Sequence, residues 1–191
     1  KSKDGCIKFA MLTGVTKFGK VSVFSDLNNL KDISLDNRYY NLCGIDEGEL
    51  HGVIEPYVQC LADSQNITLD KAYSELKRNY DGYHFSKNMV GMYNPFSLLN
   101  AFDSLEIGSY WFETGTPSYL VELLKRHDFK LDELKGNKVT ANVLSAIDAS
   151  SSNPISVIFQ SGYLTISGYN ERYKLYSLDF PNEEVREGFM L

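Results

Sequence analysis

Apolar residues change their spacing along this chain, and each change predicts a different element. Cys6 to Thr13 is a mostly apolar run closed by Gly14. A nearly continuous apolar strand predicts burial on both faces, as in the parallel sheet of an α/β fold. One strand makes no sheet, so its neighbours are expected outside this sequence or on another chain. Phe18 to Asn29 predicts a short helix with Val21, Phe24 and Leu27 on one side. Asp32 to Leu35 predicts a brief strand entering a turn at Asp36-Asn37. From Asp46 the spacing becomes helical, with Leu50, Val53, Ile54, Tyr57, Val58 and Leu61 in register. Asp46 and Glu49 form a capping box in its Asp variant, and Pro56 inside the pattern predicts a kink or a second segment. Thr68 caps the next helix, whose inner stripe is Leu69, Ala72, Tyr73 and Leu76. Lys71, Glu75, Lys77 and Arg78 read as its solvated face.

Between two helical stretches, Tyr80 to Phe102 breaks the periodicity. Asp81-Gly82 is a turn signal, because glycine accepts a positive φ that other residues resist. Tyr83-His84-Phe85 and Met89 to Tyr93 predict a small hairpin turned by Ser86-Lys87-Asn88. Asn94 suits an N-cap and Pro95 the first helical position after it.

Further on, Tyr110-Trp111-Phe112 reads as core, and Thr116-Pro117 predicts a helix start with Tyr119, Leu120, Leu123 and Leu124 inward. Val139 to Ile147 is ambiguous, with strand preferred at its start. Asn153-Pro154 opens a short helix holding Ile155, Ile158 and Phe159, which Gly162 stops. Tyr163 to Ile166 alternates as a strand, Gly168 to Glu171 predicts a turn, and Tyr173 to Leu178 predicts the returning strand. Phe180 to Arg186 reads as a loop entering a last helix. A helix followed by a hairpin is the ending of a winged-helix module, although a plain β-ribbon has the same pattern. The mixed charge of Glu171, Arg172 and Lys174 weakens a DNA reading.

Composition narrows the field. The chain has 191 residues, 43% hydrophobic and 13% aromatic, enough for one or two ordered domains. A formal charge of -6 argues against broad phosphate-backbone binding. Cys6, Cys43 and Cys60 lack CxxC or Cys–His spacing, which predicts reduced, buried thiols and a cytoplasmic setting. No apolar run approaches the roughly 18 residues of a membrane span. The sequence shows no signal peptide, and its missing initiator Met suggests an excised piece.

Several phrases together carry a resemblance. They are Phe9-Ala-Met-Leu-Thr-Gly-Val-Thr-Lys-Phe, Val23-Phe-Ser-Asp-Leu, Tyr80-Asp-Gly-Tyr-His-Phe, Tyr93-Asn-Pro-Phe-Ser, Tyr110-Trp-Phe-Glu-Thr-Gly-Thr-Pro, Gln160-Ser-Gly-Tyr-Leu and Phe180-Pro-Asn-Glu-Glu-Val-Arg. In order and spacing the chain resembles the bacterial AAA-ATPase-like proteins. That family typically joins a P-loop ATPase module, a helical lid with a winged-helix-like region, and a nuclease-like domain of the PD-(D/E)XK type. The match covers only the back half of the ATPase region. It implies an α+β, mostly helical fold in three parts. Residues 1–45 would end the ATPase core with a leftover sheet strand, 46–109 would form the helical lid, and 110–191 the winged-helix-like region with its β-hairpin.

The departures decide the expected function. Gly14-Val-Thr-Lys-Phe-Gly-Lys has the glycine and lysine spacing of a P-loop but is followed by Val21 rather than Ser or Thr. No complete G-x-x-x-x-G-K-[ST] therefore occurs, and no intact Mg²⁺-binding P-loop is expected. No acidic residue ends the Cys6–Leu12 strand, which therefore is not a Walker-B strand. By resemblance it is the next one, and Thr13, Thr16 and Lys17 would take the sensor position near the γ-phosphate. The alternative is an ordinary solvated strand exit. Asn94 and Thr116 are the candidates for the lid's contact with nucleotide. ATP and Mg²⁺ are expected only in the full-length parent, with an amino-terminal P-loop half and a carboxyl-terminal nuclease-like domain as partners. The expected function is a non-catalytic fragment contributing to ATP sensing or closure. The alternatives are a protein-interaction module of a degenerate ATPase, or a weak nucleic-acid-binding winged-helix domain. No nucleic-acid binding is expected of this fragment at physiological salt, and no membrane association.

Overall fold

The computed structural model describes residues 6–14, 31–111, 136–146 and 154–190. The fold is α+β, with helices in the first half and a small antiparallel sheet in the second.

Helix α1 (Glu47–Leu50) begins at Asp46 with the reciprocal capping box: Asp46 accepts the Glu49 N–H at 2.8 Å, and Glu49 accepts the Asp46 N–H at 3.0 Å. The chain then turns, and α2 (Glu55–Gln65) starts afresh with Pro56 in its first turn. Proline removes one N–H and clashes with the preceding turn, which accounts for the break. Asn66, left-handed at φ 53°, ends α2. Thr68 caps α3 (Leu69–Tyr80) by accepting the Lys71 N–H. Asn94 caps α4 (Pro95–Ser104) through the N–H groups of Phe96 and Ser97. Leu50, Leu61, Leu76, Tyr80, Tyr93 and Leu98 are fully or almost fully buried in the helical core. Each buried leucine contributes about 1.5–3 kcal/mol of transfer free energy.

The second half holds β1 (Lys138–Val139), α5 (Ala141–Leu144), α6 (Ile155–Gln160), β2 (Thr165–Asn170), β3 (Leu175–Asp179) and α7 (Glu183–Met190). The strand order is β1-β3-β2, with every pair antiparallel. Tyr176 and Leu178 face inward from β3, and a bulge between Ile166 and Gly168 adjusts the register. Ile158, Tyr163, Leu164, Ile166, Leu178 and Val185 form the sheet core. Tyr110 packs on the helical core and Trp111, its neighbour, on the sheet core.

Several expectations need correction. Residues 6–14 form no strand among the described residues, and all nine are exposed. A strand without a ladder partner has nothing to satisfy its backbone. Residues 32–35 form turns rather than a strand, with Ser34 donating its N–H to the Asp32 carboxylate. Such a local bond competes with strand pairing. The second hairpin turns at Glu171 to Lys174, later than expected, because β2 runs on through Gly168 to Asn170. Val139 ends a two-residue strand and a helix follows at once. Cys6, Cys43 and Cys60 are free but exposed, not buried. The helix expected at 18–29 and the one opened by Thr116 lie outside the described residues.

Candidate functional site

The phrases that stand out in the sequence converge where the two cores meet. The Tyr80 hydroxyl donates to the Gly108 carbonyl at 2.9 Å and accepts the Gly108 N–H at 3.0 Å. Asn94 donates its N–H to the Tyr80 carbonyl at 2.9 Å, tying the start of α4 to the end of α3. Between them Tyr83 and Met92 exchange backbone hydrogen bonds at 3.2 and 2.9 Å, closing the small hairpin.

Gly82 adopts φ +98° and runs against the Phe180–Asn182 loop. A Cβ there would lie 2.0 Å from the Pro181 carbonyl oxygen. Glycine is therefore required twice, by conformation and by close approach. His84 continues the junction: its N–H donates to the Thr165 hydroxyl at 2.7 Å. Its Nδ1 lies 2.8 Å from the Ile166 carbonyl. A carbonyl only accepts, so Nδ1 carries the proton.

Glu184, on the first turn of α7, is 2% exposed. Its Oε2 accepts the Ser97 hydroxyl at 2.7 Å, and its Oε1 accepts the N–H groups of Tyr110 at 2.6 Å and Trp111 at 2.7 Å. One carboxylate thus holds α7, α4 and the 110–111 segment together. Charge-assisted bonds of this kind are about twice as strong as neutral ones. Asn182 caps α7 by accepting the Val185 N–H at 3.1 Å. The Tyr83 hydroxyl is buried beside Asn94 and Asn182 without a well-formed hydrogen bond, and burial pushes its phenol well above the usual range. Burial does the same for Tyr80. Both phenols stay protonated at neutral pH.

A second polar cluster lies on the outer side of the helical core. Burial pushes the Glu47 carboxyl up, but hydrogen bonds from Tyr93 at 2.8 Å and Lys77 at 3.3 Å outweigh it and hold it below its ordinary range. His51 stacks on Tyr73 with ring centroids 3.9 Å apart. Asp81 keeps one buried carboxylate oxygen without a partner, and burial raises its carboxyl. A cleft of about 430 Å³, lined in part by Lys71, Glu75, Arg78 and Asn79, opens beside α3. Glu75 pairs with both cations there, at 2.5 Å to Lys71 and 3.0 Å to Arg78, and Glu184 and Glu187 also line the cleft, so its acids outnumber its bases and it does not favour an anion.

Of the candidate nucleotide contacts, Thr13 is exposed in the unpaired 6–14 segment. Thr16, Lys17 and Thr116 lie outside the described residues. Asn94 is 8% exposed with its oxygen engaged in the α4 cap. Sequence reading missed Glu184 as the organising group. Its only signal was an acid in the first turn of a predicted helix, which most often serves the helix dipole. No group of three His, Cys, Asp or Glu side chains is placed to hold a metal among the described residues. No helix among them is long and apolar enough to cross a membrane.

The chain is 41% identical, over 97% of its length, to an uncharacterized protein in the vnfD 5′ region of Azotobacter chroococcum mcd 1. It spans about a third (34%) of the length of this curated relative. No family model matches the chain. No solved structure matches it either.

Proposed function

We propose that this chain is the sensor-strand, lid and winged-helix-like part of an AAA-ATPase-like protein. By itself it is non-catalytic, and in the longer protein it contributes to ATP sensing or closure. The observation that carries this reading is the surface apolar run ending at Thr13. Ile7, Phe9, Met11 and Leu12 are 59%, 83%, 49% and 61% exposed. Such a run fits a strand buried only within a sheet built from other sequence, with its polar end at the nucleotide. A relative of which this chain spans 34% has ample sequence for that sheet.

This chain alone is not expected to hold ATP or Mg²⁺ tightly. The Gly14–Lys20 run lacks the Ser or Thr that completes a P-loop, Val21 standing in its place, and Asn94 is committed to its cap. ATP, Mg²⁺, the P-loop and any nuclease-like domain are therefore assigned to the longer protein, and no reaction step is placed here. Alanine at Thr13, Thr16 and Lys17, singly in an active full-length protein, should lower turnover more than ATP affinity. At least one variant should lose about 10²-fold in rate. Wild-type turnover in all three would reduce the polar end to a solvated loop. Micromolar, Mg²⁺-dependent ATP binding by this chain alone, measured by calorimetry, would also overturn the reading.

A second reading, a protein-interaction module, draws on Val53, Tyr57, Leu99 and Phe96, which are 79%, 60%, 58% and 41% exposed. It would gain if the full-length protein proved inactive toward ATP while these residues remained necessary for complex formation.

A further inference from the structure

The β2–β3 hairpin ends in Glu171-Arg172-Tyr173-Lys174, all exposed. The Asn170 side chain accepts the Tyr173 N–H at 3.0 Å and holds the turn. Lys174 adopts φ +53°, a conformation that costs a residue with a Cβ roughly 1 kcal/mol. Tyr173 is 62% exposed, with the Arg172 guanidinium 5.3 Å from its ring centroid.

The charges at this tip are not balanced. Glu171 is held by Lys87 at 3.1 Å. Lys87 also lies 5.4 Å over the Tyr169 ring, which packs on Tyr176 at 4.7 Å. Arg172 and Lys174 have no ion pair among the described residues. Two unopposed cations thus bracket an exposed aromatic ring, on a chain of formal charge -6.

We propose that this hairpin tip is a contact site for single-stranded nucleic acid. Tyr173 stacks one base, and Arg172 and Lys174 take the adjacent phosphates. Stacking on an aromatic ring contributes about 1–3 kcal/mol per base and tolerates any sequence. A narrow tip reaches few phosphates, whereas duplex binding needs a broad basic face that this acidic chain lacks. The same acidity confines the contact to low salt for this chain alone. The site is independent of the lid reading, because it uses neither Thr13 nor the ATPase sheet.

The experiment is fluorescence anisotropy of a short fluorescein-labelled oligothymidylate at low salt. Binding is expected, with a log–log salt slope of about −1.4 for two phosphates at roughly −0.7 each. Tyr173→Ala should weaken it about tenfold, while Tyr173→Phe, which keeps the ring, should not. Arg172→Ala and Lys174→Ala should each remove about 0.7 from the slope. Circular dichroism should show the fold unchanged, since all three side chains are exposed. The proposal fails if the oligonucleotide does not bind at low salt, if Tyr173→Ala binds like the wild type, or if a duplex binds equally well. It also fails if a glutamate-rich peptide binds more tightly with the same sensitivity to these variants.

Discussion

The Glu184 carboxylate lies 2.7 Å from the Ser97 hydroxyl, across 87 residues of chain and between the two cores. That bond, with the two backbone N–H groups on the other oxygen, makes one buried acid the joint of the molecule. A carboxylate of this exposure survives only when its lone pairs are satisfied. Ser97 and the 110–111 backbone supply those bonds, while Asn94 and Asn182 cap α4 and α7.

Glu184→Ala should therefore be severe. It leaves the Ser97 hydroxyl and two N–H groups without acceptors, at about 1–3 kcal/mol for each buried group. A loss of at least 3 kcal/mol is expected by denaturant titration, a large share of an ordinary domain's roughly 5–15 kcal/mol. Ser97→Ala removes one donor only and should cost less. Equal midpoints for Glu184→Ala and the wild type would show that the carboxylate joins nothing.

Gly82→Ala tests the close approach separately from conformation. Its φ of +98° is unfavourable for alanine, and its Cβ would meet the Pro181 carbonyl at 2.0 Å. Gly136 has φ +75° but nothing within 4 Å of its Cβ position. Gly136→Ala should cost about 1 kcal/mol, the conformational part alone. Gly82→Ala should cost clearly more, because backbone must move. If thermal unfolding gives the same loss for both, the contact with the Phe180–Asn182 loop is not tight.

Asp81 and Glu47 should respond to pH in opposite senses. Burial raises the Asp81 carboxyl, and the Gly82 N–H and Lys77 only partly oppose it. A raised folded pKa means that this group favours the fold below its unfolded value, about 3.9, and loses that contribution as pH rises through the folded value. Asp81→Asn should thus raise the melting temperature at neutral pH, with the gain shrinking toward acid. Burial also pushes Glu47 up, but Tyr93 and Lys77 win and leave it lowered. Its contribution is present above its unfolded value and lost as pH falls through the folded one. Glu47→Gln should lower the melting temperature at neutral pH and converge with wild type in acid. Melts from neutral pH down through the carboxylate range would reveal either sign reversed.

Local signals were enough wherever the chain's own neighbours decide. The Asp46–Glu49 capping box, the Pro56 break, the Thr68 and Asn94 caps and the Tyr83–Met92 hairpin need only residues within about ten positions. Helix starts are satisfied by side chains a few residues away, so their residue types announce them. The α+β character, expected from the resemblance, agrees with the helices and small antiparallel sheet of the structure. The turn of the second hairpin was misplaced because Gly168 looks like a turn residue, yet β3 supplies it a strand partner in Ser177.

What tertiary structure alone decided involves residues far apart or absent partners. The 6–14 run is apolar enough for a buried strand, but burial requires a sheet, and a period in one segment cannot supply the neighbouring one. Residue type predicts three buried cysteines, but Cys60 lies on an exposed face of α2, and Cys6 and Cys43 lie in exposed segments outside the α-helices. Glu184 is the clearest case. In sequence it is one of two acids at a helix start. Only folding brings Ser97, Tyr110 and Trp111 around it, because a buried charge draws its donors from whatever segments the two cores press together.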